Sequence, residues 1–120
     1  MPEEYVKKHT PHIDRQYYEE VAEGMRMAVI GGTCRMAKFG DYEVCGKTGT
    51  AQNPHGRDHS AFMGFAPMNN PKIAVAVYVE NGGFGAEYGV PIGSLMIEKY
   101  LKGEVKRTEM ENQMMNSRIK

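Results

Sequence analysis

Apolar positions alternate most regularly between Lys72 and Glu80. Ile73, Val75, Val77 and Val79 fall on one side, and Ala74, Ala76 and Tyr78 on the other. A period of two predicts a β-strand. Both sides are apolar, so the strand is expected to be covered on both faces. Ser60 to Ala66 alternates in the same way, with Phe62, Gly64 and Ala66 set against Ala61, Met63 and Phe65. Tyr42 to Ala51 reads as a third strand. The connections are short and rich in turn formers: Asn53-Pro54-His55-Gly56-Arg57-Asp58, then Pro67 to Pro71 with Asn69-Asn70 at its centre. Links of this length join antiparallel neighbours.

Two helices frame the strands. Residues 1–13 are polar, carry Pro2 and Pro11, and read as an extended leading segment. Asp14 is a good N-cap. After it Tyr18, Val21, Met25, Ala28 and Val29 recur at helical spacing. Glu19, Glu20 and Glu23 precede Arg26, which suits the helix dipole and reads as a solvated face. Gly31-Gly32 ends this helix, and Thr33 to Asp41 reads as loop. After the third strand, Asn81-Gly82-Gly83 breaks the pattern, and Pro91 suits the first turn of a final helix. Ile92, Leu95, Met96 and Tyr100 are its expected packed face, and Gly103 its C-terminal stop. The order predicts an α+β fold, three antiparallel strands with flanking helices. Such a sheet leaves at least one edge open, as a part of a larger sheet would. Apolar surface is then expected to be exposed, with dimerisation, swapping or modest stability as the result. Residues 1–103 form this unit, and 104–120 a polar tail, frayed or in a solvated helix.

Composition narrows the classes. A chain of 120 residues is one domain or a piece of one. Its formal net charge of zero gives no electrostatic reason to expect nucleic acid or a membrane surface as partner. No apolar run approaches the ~20 residues of a membrane span, and no signal peptide is visible. Cys34 and Cys45 are too few for a disulfide scaffold and read as two free, partly buried thiols, with a bridge as the alternative. His55, Asp58 and His59 are three potential metal ligands within five residues, but zinc needs a fourth, placed group. A solvated turn with a packing histidine is the preferred reading, and no metal or cofactor is expected. Tyr17 and Tyr18 read as core or helix surface.

The chemistry concentrates at Lys47-Thr48-Gly49-Thr50, on the first strand. Lys-Thr-Gly is one of three motifs that build the site of serine enzymes acting on penicillins and D-Ala-D-Ala peptides. Acyl transfer through serine needs a nucleophile, a proton acceptor, an oxyanion hole and a carboxylate anchor. Lys47 would supply a positive field, Thr48 and Thr50 hydroxyl donors, and Thr50 N–H an oxyanion donor. Gly49 would remove a side chain where another element approaches closely. Strict alternation puts Lys47 and Gly49 on one face and Thr48 and Thr50 on the other. All four serve one cleft only if the strand forms its wall. Alone, the triplet is common enough to mark an ordinary exposed strand.

Its surroundings make it specific. Cys45-Gly46-Lys47-Thr48-Gly49-Thr50-Ala51-Gln52 closely resembles the third motif of class B penicillin-binding proteins. His59 to Pro67 and Lys72 to Gly83 resemble the two strands that follow it, and Met25 to Thr33 the helix before it. The resemblance spans roughly residues 14–103, and the Asn53-Pro54-His55-Gly56 loop looks most like the elongation-type, rod-shape branch. It implies a D,D-transpeptidase that cross-links peptidoglycan stem peptides through an acyl-serine and is acylated by β-lactams. It also implies cell-wall synthesis partners and a place outside the bacterial cytoplasmic membrane, with an anchor outside this chain. The implied sheet has five strands, of which these are the last three. Carried over, Lys47, Thr48 and Thr50 bind the carboxylate of substrate or drug, Thr50 N–H completes the oxyanion hole, and Gly49 keeps the strand close. Arg57 and His59 are further candidates at the cleft mouth.

The other two motifs, Ser-x-x-K and Ser-x-Asn, do not occur upstream of Lys47. Ser117-Arg118-Ile119-Lys120 matches the first as a pattern, but in the wrong order and in a polar tail. This chain is therefore expected to supply the substrate-binding strand and to be inactive alone. The rivals are a D,D-carboxypeptidase or β-lactamase relative, a non-catalytic module that binds stem peptides or a partner protein, and an unrelated small domain with a chance triplet.

Overall fold

A computed structural model describes residues 2–119. The elements in order are α1 (Glu3–Val6), α2 (Arg15–Gly31), a 3-10 turn (Arg35–Ala37), β1 (Cys45–Ala51), β2 (His59–Ala66), β3 (Ile73–Val79), α3 (Gly89–Lys102) and α4 (Thr108–Asn116). Asp14 stands at the N-cap of α2, and Gly32 closes it with its N–H on Ala28 O at 3.1 Å. Gly103 ends α3 in the left-handed conformation at φ 77°, which suits a residue without Cβ. The leading segment forms a short helix, α1, instead of running fully extended, and the loop after α2 holds one 3-10 turn.

The sheet is antiparallel in the order β1-β2-β3. Lys47 lies opposite Met63, and Met63 opposite Ala76; Gly49 lies opposite Ala61, and Ala61 opposite Tyr78. β1 starts at Cys45, not at Tyr42. Tyr42 belongs to a turn closed by Val44 N–H on Tyr42 O, and its ring packs 5.5 Å from that of Phe39. Beside β1 runs α2, while α3 covers one face of β2 and β3. The core joins Val29, Cys34, Ala37, Phe39, Val44, Phe62, Ala66, Val90 and Ile97.

Three expectations need correction. β3 is not covered on both faces: Ile73, Val75, Val77 and Val79 are half-buried, whereas Ala74, Ala76 and Tyr78 are exposed. α3 shields only one side of this edge strand. The packed face of α3 is not Ile92, Leu95, Met96 and Tyr100. Val90, Pro91, Gly93, Ser94, Ile97 and Glu98 are buried, while Met96 and Tyr100 are 55% and 63% exposed. An all-round apolar helix offers two stripes of equal period, and the small residues decide between them. A Cβ on Gly93 would come within 2.4 Å of the Phe62 ring, so the helix sits closer than a side chain would permit. On α2, Val29 is buried, but Tyr18 and Val21 are exposed, because the sheet meets only the second half of the helix.

The segment after Gly103 carries the helix α4 and is tied to the core at its base. Glu98, 1% exposed, accepts from Arg107 Nε at 2.8 Å and from Lys106 N–H at 3.0 Å. Arg107 also donates to Ser94 Oγ and to Met36 O, and its guanidinium lies 4.7 Å from the centre of the Phe39 ring. Among the described residues, no helix is long and apolar enough to cross a membrane.

Candidate functional site

β1 is an edge strand, and the motif lies along its outer edge. Thr48 N–H faces the sulfur of Cys34, away from β2. In an antiparallel ladder, alternate residues turn both their N–H and C=O to the same edge. Thr50, two residues on, therefore points its N–H to the outer edge as well. Thr48 C=O points there too, where it accepts from Lys47 Nζ at 2.8 Å. The side chain of Lys47 leaves on the face opposite to the two threonines and curls back to the edge. The outer edge of the strand thus carries the Thr48 carbonyl, with the Lys47 ammonium reaching it from one face and the Thr48 and Thr50 hydroxyls held on the other. Among the described residues, Lys47 forms no ion pair.

The two hydroxyls have different surroundings. Thr48 Oγ1 lies 3.1 Å from Thr33 Oγ1, on the loop after α2, and either can be the donor. Thr50 Oγ1 accepts from Gly85 N–H at 3.1 Å. Gly49 faces Ala61 across the ladder, and a Cβ on it would be 3.4 Å from Ala61 Cβ, an ordinary contact. Within this structure, Gly49 meets no crowding that excludes a side chain.

Beside Lys47, an open hollow of about 320 Å³ is lined by Lys47, Gly49, Ala61, Met63, Ala76 and Tyr78. Thr48 also borders it, and apart from Lys47, Thr48 and Tyr78 its lining is apolar. A larger hollow of about 650 Å³ lies between α2 and the β2–β3 connection, lined by Tyr18, Val21, Met25, Phe65, Met68 and Pro71 among others, and none of the motif residues borders it.

The other candidates are engaged in the scaffold. Arg57 pairs with Glu87 at 2.9 Å, tying the β1–β2 loop to the loop before α3. His59 Nδ1 accepts from Asn81 N–H at 3.0 Å, and its ring packs 5.5 Å from that of Tyr78. Asp58 Oδ1 accepts from Asn53 N–H at 3.0 Å. Among the described residues, no three His, Cys, Asp or Glu side chains come together to hold a metal ion. Cys34 and Cys45 are both free and buried. Burial pushes the Cys34 thiol up, against the opposing pull of Thr33, Lys47 and Thr48 N–H. Burial also raises Cys45, with Arg26 opposing and Glu43 adding to it. Ser117 donates to Gln113 O at the end of α4, and Lys120 of the Ser-x-x-K pattern lies outside the described residues.

Sequence reasoning missed Thr33, Gly85 and Glu87, and it read Cys34 as a free thiol without its place beside Thr48. Thr33 stood at the end of the segment read as the helix before the motif and Gly85 between two segments that were read, and a backbone donor and a neighbouring hydroxyl have no periodic signature.

Residues 3–98 match the family described as penicillin binding protein transpeptidase domain. The peptidoglycan D,D-transpeptidase MrdA of Haemophilus influenzae is 34% identical over 114 residues, 79% of this chain and 17% of that protein. PbpA of Mycobacterium tuberculosis, also a peptidoglycan D,D-transpeptidase, is 42% identical over 73 residues, 52% of this chain and 14% of that protein. Among solved structures, penicillin-binding protein A from M. tuberculosis as an imipenem acyl-enzyme complex matches with a TM-score of 0.69 and 32% identity, over 79% of this chain and 21% of that one. PBP2 of Pseudomonas aeruginosa in complex with WCK 5153 matches with a TM-score of 0.61 and 40% identity, over 79% and 22%. The chain thus spans about a sixth of the length of the curated relatives it matches.

Proposed function

The chain belongs to the penicillin-binding-protein transpeptidase family, and we propose that it forms the substrate-carboxylate wall of a serine-type peptidoglycan D,D-transpeptidase. The observation that carries this reading is the outer edge of β1. Lys47 is free of carboxylate partners among the described residues, strand alternation turns Thr50 N–H to that edge, and the Thr48 and Thr50 hydroxyls stand on the adjoining face.

In the reaction, the serine of a Ser-x-x-K segment outside this sequence attacks the carbonyl of the penultimate D-Ala of a donor stem peptide. The C–N bond breaks, terminal D-Ala leaves, and an acceptor amine then releases the acyl-serine as a cross-link. Lys47, Thr48 and Thr50 hold the leaving residue's carboxylate. Thr50 N–H donates to the oxygen that becomes negative, where a fixed donor is worth more than one that must reorient. Gly49 keeps the strand open to the nucleophile's side. β-Lactams enter the same wall through their own carboxylate. Residues 1–103 act as the C-terminal part of the transpeptidase domain and 104–120 as its tail. The whole works at the outer side of the bacterial cytoplasmic membrane with other cell-wall synthesis proteins. The chain alone is inactive, because nucleophile and wall act as a unit.

Labelling source cells with a tagged penicillin and capturing the native protein through the Lys47 region tests this. The expected result is a labelled protein whose adduct maps to a Ser-x-x-K peptide. An unlabelled native protein would overturn the reading in favour of a non-catalytic module that binds stem peptides.

A further inference from the structure

We propose that Gly85 is a positioning residue for the carboxylate wall, fixing the hydroxyl of Thr50 as a proton donor toward an anionic ligand. The inference rests on the reading of β1 given above. A threonine hydroxyl has one proton and can also accept. Gly85 supplies a backbone N–H, which can only donate, to Thr50 Oγ1 at 3.1 Å. One of that oxygen's two lone pairs is thereby taken, and its proton must point away from Gly85. The hydroxyl pair of Thr33 and Thr48 has no such fixed sense, since either can donate. Of the two motif threonines, Thr50 is the one prepared in advance for an acceptor such as a carboxylate.

The loop that carries Gly85 is held at several points. Gly83 N–H donates to Asp58 O at 2.8 Å. Buried Ser60 donates to Phe84 O at 2.9 Å and accepts from Gly89 N–H at 3.0 Å. Glu87 takes Arg57 on one oxygen and Phe84 N–H on the other. Gly85 O accepts from Val90 N–H in the first turn of α3. The residue also lies directly on the β1–β2 ladder: a Cβ there would meet Ala61 O and Gly49 O at 2.6 Å and Gly49 N at 3.0 Å. These are backbone atoms of a paired ladder, so they cannot step aside, and any side chain would lift the donor off Thr50.

The test uses NMR on the full chain, titrated with acetyl-D-Ala-D-Ala and with its C-terminal amide. The wild-type chain is expected to bind the free acid more tightly, with the Thr50 and Gly85 amides moving. Thr50→Val is expected to lower that preference roughly tenfold, the weight of one charge-assisted hydrogen bond, and to strip the Gly85 amide of exchange protection. Thr50→Ser should keep both properties, and Gly85→Ala should lose the preference. A merely structural role would weaken both ligands alike and leave their ratio unchanged. Retention of the preference in Thr50→Val, or in a folded Gly85→Ala, would overturn the inference, as would an unchanged Gly85 amide in Thr50→Val. If Gly85→Ala does not fold, the Val and Ser pair decides. A wild-type chain that does not distinguish acid from amide would overturn the carboxylate wall itself.

Discussion

Arg107 Nε lies 2.8 Å from Glu98 Oε1, and the glutamate side chain is 1% exposed. This pair joins the base of α4 to α3, and the guanidinium goes on to Ser94 Oγ, Met36 O and the Phe39 ring. Removing one partner of a buried pair strands the other charge, at a cost of about 3–5 kcal/mol. Arg107→Ala is therefore expected to lower stability by that amount in urea unfolding, and Glu98→Met with Arg107→Leu to recover most of it. Equal stability of Arg107→Ala and wild type would show that the contact carries no weight.

The same pair sets an acid response. Burial pushes the Glu98 carboxyl up, but Lys106 N–H, Arg107 and Lys102 together outweigh it and hold it below the usual carboxylate range. The folded pKa is thus below the unfolded value of about 4.3. The stabilisation is complete above that value and disappears as pH falls through the folded pKa. The stability gap between wild type and Glu98→Gln should shrink from about pH 5 downward. A gap that stays constant to the acid limit would contradict the assignment.

Phe62 is enclosed by three glycines. Cβ atoms on Gly46, Gly64 and Gly93 would come within 2.5, 2.6 and 2.4 Å of its ring. Gly93→Ala should cost about 1–3 kcal/mol through overpacking, and Phe62→Ala about 3–5 kcal/mol through loss of a buried ring. Combining Gly93→Ala with Phe62→Leu should cost less than the sum, since the two share one volume. Additive losses in a double-mutant cycle would rule out the shared volume.

How much was legible in the sequence follows from the kind of signal each feature leaves. β3 was legible because Ile73, Val75, Val77 and Val79 repeat at period two, and Gly103 because a helix stop needs a left-handed residue. The motif on β1 was found because residue type, order and neighbours agreed. The packed face of α3 was not legible, because its choice depends on Gly93 meeting Phe62, a residue thirty-one positions away. The pair of Glu98 and Arg107 spans a helix stop and left no periodic trace. The donor to Thr50 is a backbone N–H, which no residue type announces.

Cys34 and Cys45 are buried, and burial raises both thiols. A raised folded pKa gives stability that is complete below the unfolded value of about 8.5 and is lost as pH rises through the folded one. At neutral pH a thiol reagent should therefore label neither cysteine on the timescale of a free thiol, and both after denaturation. The chain should also lose stability above about pH 9. Rapid labelling of Cys34 in the native chain would mean that its contact with Thr48 opens readily.

Lys47 gives the sharpest test of the wall. Its ammonium reaches Thr48 O at 2.8 Å and has no carboxylate partner among the described residues. A ligand carboxylate would meet a cation that need not first give up another anion. In the protein that labels with penicillin, Lys47→Gln should lower acylation by a carboxylate-bearing β-lactam by about 10²-fold, the scale of losing one preorganised charge-stabilising group. The methyl ester of the same drug should lose far less, because it presents no anion. Lys47→Arg keeps the charge but not the compact ammonium and should recover only part. The isolated chain, given the same drug, should gain no mass. An acyl adduct on Ser117 would assign the nucleophile to this chain, and equal losses for acid and ester would move Lys47 from carboxylate binding to the support of the strand.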